Sequence, residues 1–196
     1  MATWIPDPSF YPSPRLAMQA PAERLAYVAT FDPARTAADV LGVVDVDPAS
    51  PSYSRIVGQT AMPSPGDELH HFGWSACSSC LCPNAPHPHV ERRYLVVPGL
   101  RSSRIHILDT KPDPRQPKLV KTIEADELAR RAGYSRPHTV HCGPGGIYLA
   151  CLGNGEGKGP GGVALIDHES FQVLGRWEVD RGPQHFAYDM WWHLGY

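Results

Sequence analysis

Three short apolar runs, each closed by aspartate, recur along the chain: Val43-Val44-Asp45-Val46-Asp47, Ile105-His106-Ile107-Leu108-Asp109 and Val163-Ala164-Leu165-Ile166-Asp167. Each leads through a turn into a second apolar stretch: Tyr53-Ser54-Arg55-Ile56-Val57, Lys118-Leu119-Val120-Lys121-Thr122-Ile123 and Val173-Leu174-Gly175-Arg176-Trp177. The terminal residues Asp47, Asp109 and Asp167 lie 62 and 58 positions apart. Ahead of the second and third copies stand two more strand-like runs, Tyr94-Leu95-Val96-Val97-Pro98 and Ile147-Tyr148-Leu149-Ala150-Cys151. A strand–turn–strand unit at this period marks a repeat architecture. Short strands joined by Gly/Pro turns predict an all-β fold built of β-propeller blades, with an unrelated β-sandwich as the alternative.

Two segments break the pattern. Residues 1–21 are Pro-rich without periodicity and read as an extended N-terminal arm, leaving 22–196 as the partial propeller domain. Ala125-Asp126-Glu127-Leu128-Ala129-Arg130-Arg131-Ala132-Gly133 has acid early, base late and glycine at the stop. That order suits the helix dipole and predicts a short inserted helix.

Composition narrows the class. A chain of 196 residues with 42% hydrophobic content is enough for one domain with a core, and its 21 prolines and 18 glycines suit many turns. No run approaches the roughly 20 apolar residues of a membrane helix. The start has neither a basic region nor an apolar one, so a cytoplasmic address is expected. A net charge of −2 without Lys/Arg runs argues against a nucleic-acid surface.

The candidate chemistry is concentrated in two clusters. Asp67-Glu68-Leu69-His70-His71-Phe72-Gly73-Trp74 runs into Cys77-Ser78-Ser79-Cys80, and His138-Thr139-Val140-His141-Cys142 follows about seventy residues later. In the repeat register both occupy the first strand of a unit, which in a propeller lines the central channel. His70 or His71 and His138 or His141 would then converge. A regular strand would aim only one of each pair inward. Imidazole suits copper or zinc. Five cysteines, an odd number, favour metal or redox chemistry over a disulfide framework. A thioredoxin reading of Cys77 and Cys80 is disfavoured because Cys82, Pro83 and a non-helical Asn84-Ala85-Pro86-His87-Pro88-His89 follow. A structural zinc site from Cys77, Cys80, Cys82 and His87 or His89 lacks a second half-site. Cys77 and Cys80 therefore read as exposed thiols at the channel mouth, and His87 and His89 as exposed loop residues. The glycine-rich stretch 153–162 lacks the Lys-Ser/Thr ending of a phosphate loop and reads as a hairpin. Asp45, Asp109 and Asp167 read as turn residues, and Trp177, Trp191 and Trp192 as packing aromatics.

The motif Asp67-Glu68-Leu69-His70-His71-x-Gly73-Trp74-x-x-Cys77-Ser78-Ser79-Cys80 resembles the hallmark of the selenium-binding protein/methanethiol oxidase family. Agreement extends through Val44-Asp45-Val46-Asp47-Pro48-x-Ser50-Pro51-x-Tyr53, Ser102-Ser103-Arg104-Ile105, Pro117-Lys118-Leu119, His138-Thr139-x-His141-Cys142 and Tyr188-Asp189-Met190-Trp191. The resemblance implies a seven-bladed WD40-like β-propeller, of which about three blades are present, and a copper-dependent oxidation of methanethiol by oxygen. It makes His70, His71, His138 and His141 candidate copper ligands, and Cys77 and Cys80 candidate contacts for the thiol or for selenium. The alternative is a non-enzymatic selenium- or metal-binding propeller acting in trafficking or as an interaction scaffold. Ser54 stands where some relatives carry a cysteine implicated in selenium binding, and Cys82 is an additional thiol. Family chains are more than twice as long, so further C-terminal blades are expected to complete the site.

Overall fold

The computed structural model describes residues 6–82, 85, 87 and 89–191; Trp192 and the first five residues of the expected arm lie outside this set. The described chain is all-β apart from two short helices and a 3₁₀ turn, and its strands form three antiparallel sheets. The first sheet orders β1 (Leu25–Thr30), β2 (Ala38–Asp45) and β3 (Ile56–Pro65). The second orders β4 (Gly73–Trp74), β5 (Tyr94–Pro98), β6 (Ile105–Asp109) and β7 (Lys118–Ile123). The third comprises β8 (Tyr134–Gly143), β9 (Gly146–Asn154), β10 (Gly162–Ile166) and β11 (Val173–Arg176), again pairing in chain order. Three such up-and-down sheets in succession are consistent with part of a propeller.

The second sheet is covered on both faces, which explains why β5 and β6 read as unbroken apolar runs rather than alternating ones. Leu95, Val97 and Leu108 pack toward the first sheet with Leu41, Met62 and Leu69. Val96, Ile105 and Ile107 face the third sheet and join Val140, Ile147 and Leu149. The one polar side chain inside β6, His106, is fully buried.

The recurring aspartates close the turns that follow their strands. Asp45, Asp109 and Asp167 each accept a hydrogen bond at Oδ1 from the backbone N–H two residues on, at 3.0, 3.0 and 3.2 Å. This short-range bond folds the chain back on itself. The equivalent residue of the first unit is Asp45, not the following Asp47. The glycine-rich stretch is a hairpin loop between β9 and β10, with Asn154 Oδ1 accepting from Glu156 N–H and Lys158 N–H.

The expected helix forms at Ala125–Ala132 (α2). Asp126 and Glu127 lie in its first turn and Arg130 and Arg131 in its last. It ends where Gly133, at φ 68°, adopts the left-handed conformation and donates its N–H to Ala129 O. Leu128 and Ala132 bury its apolar face in the core of the third sheet. The N-terminal arm is not wholly extended: Pro14–Ala17 form a one-turn helix (α1) behind the Ser13 cap. The arm is also anchored, because Phe10 packs on Ala76, Cys80 and Val90, and Asp7 accepts from Arg92 N–H at 2.9 Å. Trp177 meets Tyr148 edge-on, whereas Trp191 is 82% exposed and is not a core aromatic.

Truncating Leu128 should cost about 2–5 kcal/mol, the range for deleting a buried leucine. Leu174→Ala, at a half-exposed position, should stay within about 0.5 kcal/mol. Urea denaturation of the two variants checks the contrast, and equal midpoints would contradict the placement of α2.

Candidate metal centre

Asp67 begins the histidine segment and is completely buried. Its Oδ1 accepts from Ser102 Oγ at 2.5 Å and Arg104 Nε at 3.0 Å, and its Oδ2 from His106 Nε2 at 3.1 Å. Burial alone would raise its pKa. The hydrogen bonds from His106 and Ser102, with the charges of His106 and Arg104, outweigh burial and hold the carboxyl below its ordinary value. The next residue, Glu68, takes the left-handed conformation at φ 57° and pairs with Arg101 and His70. Asp39 Oδ2 accepts Leu69 N–H at 3.2 Å, and Pro98 O accepts His70 N–H at 2.9 Å. The segment is thus fixed residue by residue through side chains and single bridges rather than by a regular ladder.

That irregularity lets neighbouring histidines point the same way. Leu69 bridges Gly99 in antiparallel fashion, while His71 bridges Thr139 of β8 in parallel fashion. His71 O accepts Val140 N–H across this seam at 3.0 Å. Gly73 makes the close approach possible, since a Cβ there would lie 2.6 Å from Val140 O.

His70, His71 and His138 converge across the seam. The His70–His138 and His71–His138 ring centroids are each 4.7 Å apart, and those of His70 and His71 are 5.8 Å apart. His138 is 1% exposed. Its burial, then the neighbouring His70 and His71, push the imidazole below its ordinary pKa, so the ring is neutral at neutral pH. The Thr139 hydroxyl donates to Tyr188 O at 2.9 Å and lies 2.8 Å from His138 Nδ1, which is itself 3.1 Å from Tyr188 O. With that hydroxyl proton committed, both contacts require His138 Nδ1 to carry a hydrogen, leaving the Nε2 lone pair available. The Tyr188 ring leans on His138 at 4.1 Å. His141 follows a different course: its Nε2 is at hydrogen-bond distance, 3.0 Å, from Asp189 Oδ1. Of the four histidines nominated from sequence, the rings of His70, His71 and His138 contact one another, and His141 is turned to Asp189.

The cysteines depart from expectation. Cys77 and Cys142 form a disulfide whose Cα atoms are 6.2 Å apart, because the end of β8 is brought against the chain after β4. Cys80 sits in a 3₁₀ turn, Ser78–Leu81, under Phe10; it is 1% exposed, and burial pushes its thiol pKa up. Neither is an exposed thiol. The docked arm covers one, and pairing removes the other. Cys151 is also buried and its thiol is pushed up by desolvation. Cys82 is a partly exposed free thiol. Ser54 is exposed and in the left-handed conformation at φ 63°. A cavity of about 620 Å³ lies between the first and second sheets beside Phe72 and Trp74, and none of the four histidines lines it.

Of the supporting residues, Asp39 carried no signal, while Thr139, Tyr188 and Asp189 stood in the motifs of the family resemblance without an assigned role. His106 did leave one, as a histidine inside an apolar strand run.

Residues 4–196 match the family profile described as 56kDa selenium binding protein (SBP56). The chain belongs to this family. It is 42% identical over 185 residues to selenium-binding protein 2 of Arabidopsis thaliana, covering 93% of this chain and 37% of that protein. The same identity and span relate it to a methanethiol oxidase of Xenopus laevis, 38% of which is covered. An X-ray structure of a hypothetical selenium-binding protein from Sulfolobus tokodaii superposes with a TM-score of 0.91 at 60% identity, over 95% of this chain and 41% of that one. The chain therefore spans about two fifths of the length of these SBP56 relatives. Among the described residues no helix is long and apolar enough to cross a membrane.

Asp67→Asn should cost about 3–5 kcal/mol at neutral pH, as expected when one partner of a buried ionic network is removed. Because the folded carboxyl titrates below its unfolded value of 3.8, this advantage of the parent chain is full above that value. It disappears as pH falls through the depressed folded pKa. Unfolding midpoints of the two proteins, followed from pH 7 to pH 2, should converge at the acid end.

Proposed function

We propose that this chain is the N-terminal part of a copper-dependent methanethiol oxidase built on a seven-bladed WD40-like propeller, acting in the cytoplasm in sulfur metabolism. The mutual ring contact of His70, His71 and His138, with His138 neutral and its Nδ1 hydrogen-bonded, carries this reading. The methanethiol oxidase relative supports the substrate. The overall conversion is methanethiol, oxygen and water to formaldehyde, hydrogen sulfide and hydrogen peroxide.

The donor set fits copper. Imidazole is a favoured ligand for both of its common oxidation states, and the lowered pKa of His138 removes the proton that would compete at Nε2. His70, His71 and His138 would hold the ion, which when bound supplies one-electron chemistry between a thiol and oxygen. Thr139 and Tyr188 O would keep the His138 tautomer, and the Tyr188 ring would shield the ligand from solvent. His141, paired with Asp189, would serve as a proton-holding group beside the site or as a ligand once that pair opens. The remaining C-terminal blades would complete the walls.

A second reading, selenium binding without turnover, is favoured by the Cys77–Cys142 pair, which joins the chain after β4 to the end of β8. The Ser79 hydroxyl lies 3.1 Å from one of its sulfurs and 3.5 Å from the other. Exchange with an external dithiol, which would leave as its own disulfide, would free the Cys77 and Cys142 thiols, Cys77 then serving as a selenium ligand with Cys80 as its buried neighbour.

In the full-length protein carrying this sequence, copper reconstitution should give methanethiol-dependent hydrogen peroxide, and His138→Ala should abolish both copper retention and peroxide. Thr139→Val should weaken copper about 10–100-fold, the usual effect of losing a bond behind a ligand. Copper-free protein with selenium bound in a Cys77-dependent manner would instead favour the second reading. Peroxide production unaffected by His138→Ala would overturn the first.

A further inference from the structure

A second histidine cluster lies apart from the seam, where the loop after the Cys-x-x-Cys motif crosses the turn between β10 and β11. His89 Nε2 is 2.7 Å from Glu169 Oε1, and His87 Nδ1 is 3.2 Å from Glu169 Oε2. One potential donor atom from each of these three residues lies within 4.8 Å of the others. His87 Nε2 is also 3.3 Å from Asp167 Oδ2. The sequence motif Pro86-His87-Pro88-His89 places the two imidazoles two positions apart, and both are brought to the same carboxylate.

The turn that offers Glu169 is held independently of the histidines. Asp167 Oδ1 accepts from Glu169 N–H, Ser170 N–H and Ser170 Oγ, and Lys121 Nζ donates to Ser170 O and Phe171 O. A carboxylate presented on such a turn loses little freedom on binding an ion.

The independent observation is His168. This side chain is 3% exposed, yet neither ring nitrogen has a hydrogen-bond partner among the described residues. It lines the same cavity, about 340 Å³, as His89 and Glu169, and its ring centroid is 5.8 Å from that of His87. Buried polar atoms are rarely left without a partner, and an ion in this cavity is the kind of partner that an imidazole lone pair fits.

We propose that His87, His89 and Glu169 bind a divalent transition-metal ion, with His168 as the adjoining nitrogen, and that the ion fastens the loop of the second sheet to the outer turn of the third. Two imidazoles and a carboxylate form a borderline donor set that takes zinc, and the partly exposed position leaves room for water or a fourth ligand. The site uses none of His70, His71, His138 or His141 and does not depend on the oxidase reading. It also differs from the zinc arrangement weighed from sequence, because no cysteine takes part.

Zinc alone is the probe. The full-length protein is stripped with a chelator, equilibrated with zinc, and its bound metal counted by mass spectrometry. One zinc equivalent should persist when His70, His71 and His138 are all replaced by alanine, and should vanish in His87→Ala/His89→Ala. Glu169→Gln should weaken that equivalent at least tenfold. Because His89 and Glu169 are exposed, the variants should keep the thermal transition of the stripped parent, and His89→Ala alone gives a second, milder test. Hydrogen exchange provides another readout: zinc should slow exchange at Val90 and at Glu169–Phe171 in the parent and not in the double variant. If no zinc equivalent survives the central substitutions, or if it survives His87→Ala/His89→Ala, the cluster is a set of ion pairs and the proposal fails.

Discussion

The buried carboxylate of Asp67 is the constraint on which the histidine seam depends. A carboxylate withdrawn from water is strongly unfavourable unless its lone pairs are met by donors. Here Ser102, Arg104 and His106 meet them from the turn between β5 and β6 and from β6 itself. The bonds fix where the chain emerges from the second sheet, and the left-handed Glu68 then sets its direction. A regular strand in this place would alternate His70 and His71 across the sheet. An irregular segment pinned at its base places both rings against His138.

Close backbone approach supplies the rest of the geometry. Gly73 allows the chain to lie against Val140, and the parallel contact between His71 and Thr139 joins two sheets whose internal pairings are all antiparallel. The site is therefore a property of the junction between two repeats, not of either repeat. Its histidines are distant in sequence because each of the two repeats contributes its own segment.

Much of the fold was legible because burial and periodicity agree. The second sheet is covered on both sides at β5 and β6, so these stand out as runs with the observed limits, while β7 shows through its partly alternating pattern and α2 carries its own stop signal in Gly133. The half-exposed β1 and the one-turn α1 were missed, since neither buries a continuous apolar face. At the centre, residue type and repeat register were enough to nominate the histidines. They could not show that His141 would turn to Asp189, because that depends on where the chain passes nearly fifty residues later. The disulfide was hidden for a similar reason: Cys77 is close to Cys80 in sequence but bonded to Cys142 across 65 residues. The docking of Phe10 over Cys80 joins segments seventy positions apart that share no pattern.

The contacts of Tyr188 bear on the order in which the protein is made. Its carbonyl, which commits the Nδ1 hydrogen of His138, lies fifty residues downstream in the chain. Chains emerge from the ribosome N-terminus first, at roughly 5–20 residues per second. The strand that supplies His138, β8, is thus made well before the residue that orients its ring. At that rate the His138 ring is without the carbonyl that fixes its tautomer for several seconds. The late arrival of Tyr188 leaves the tautomer of His138 to be fixed after the rest of the third sheet has been made.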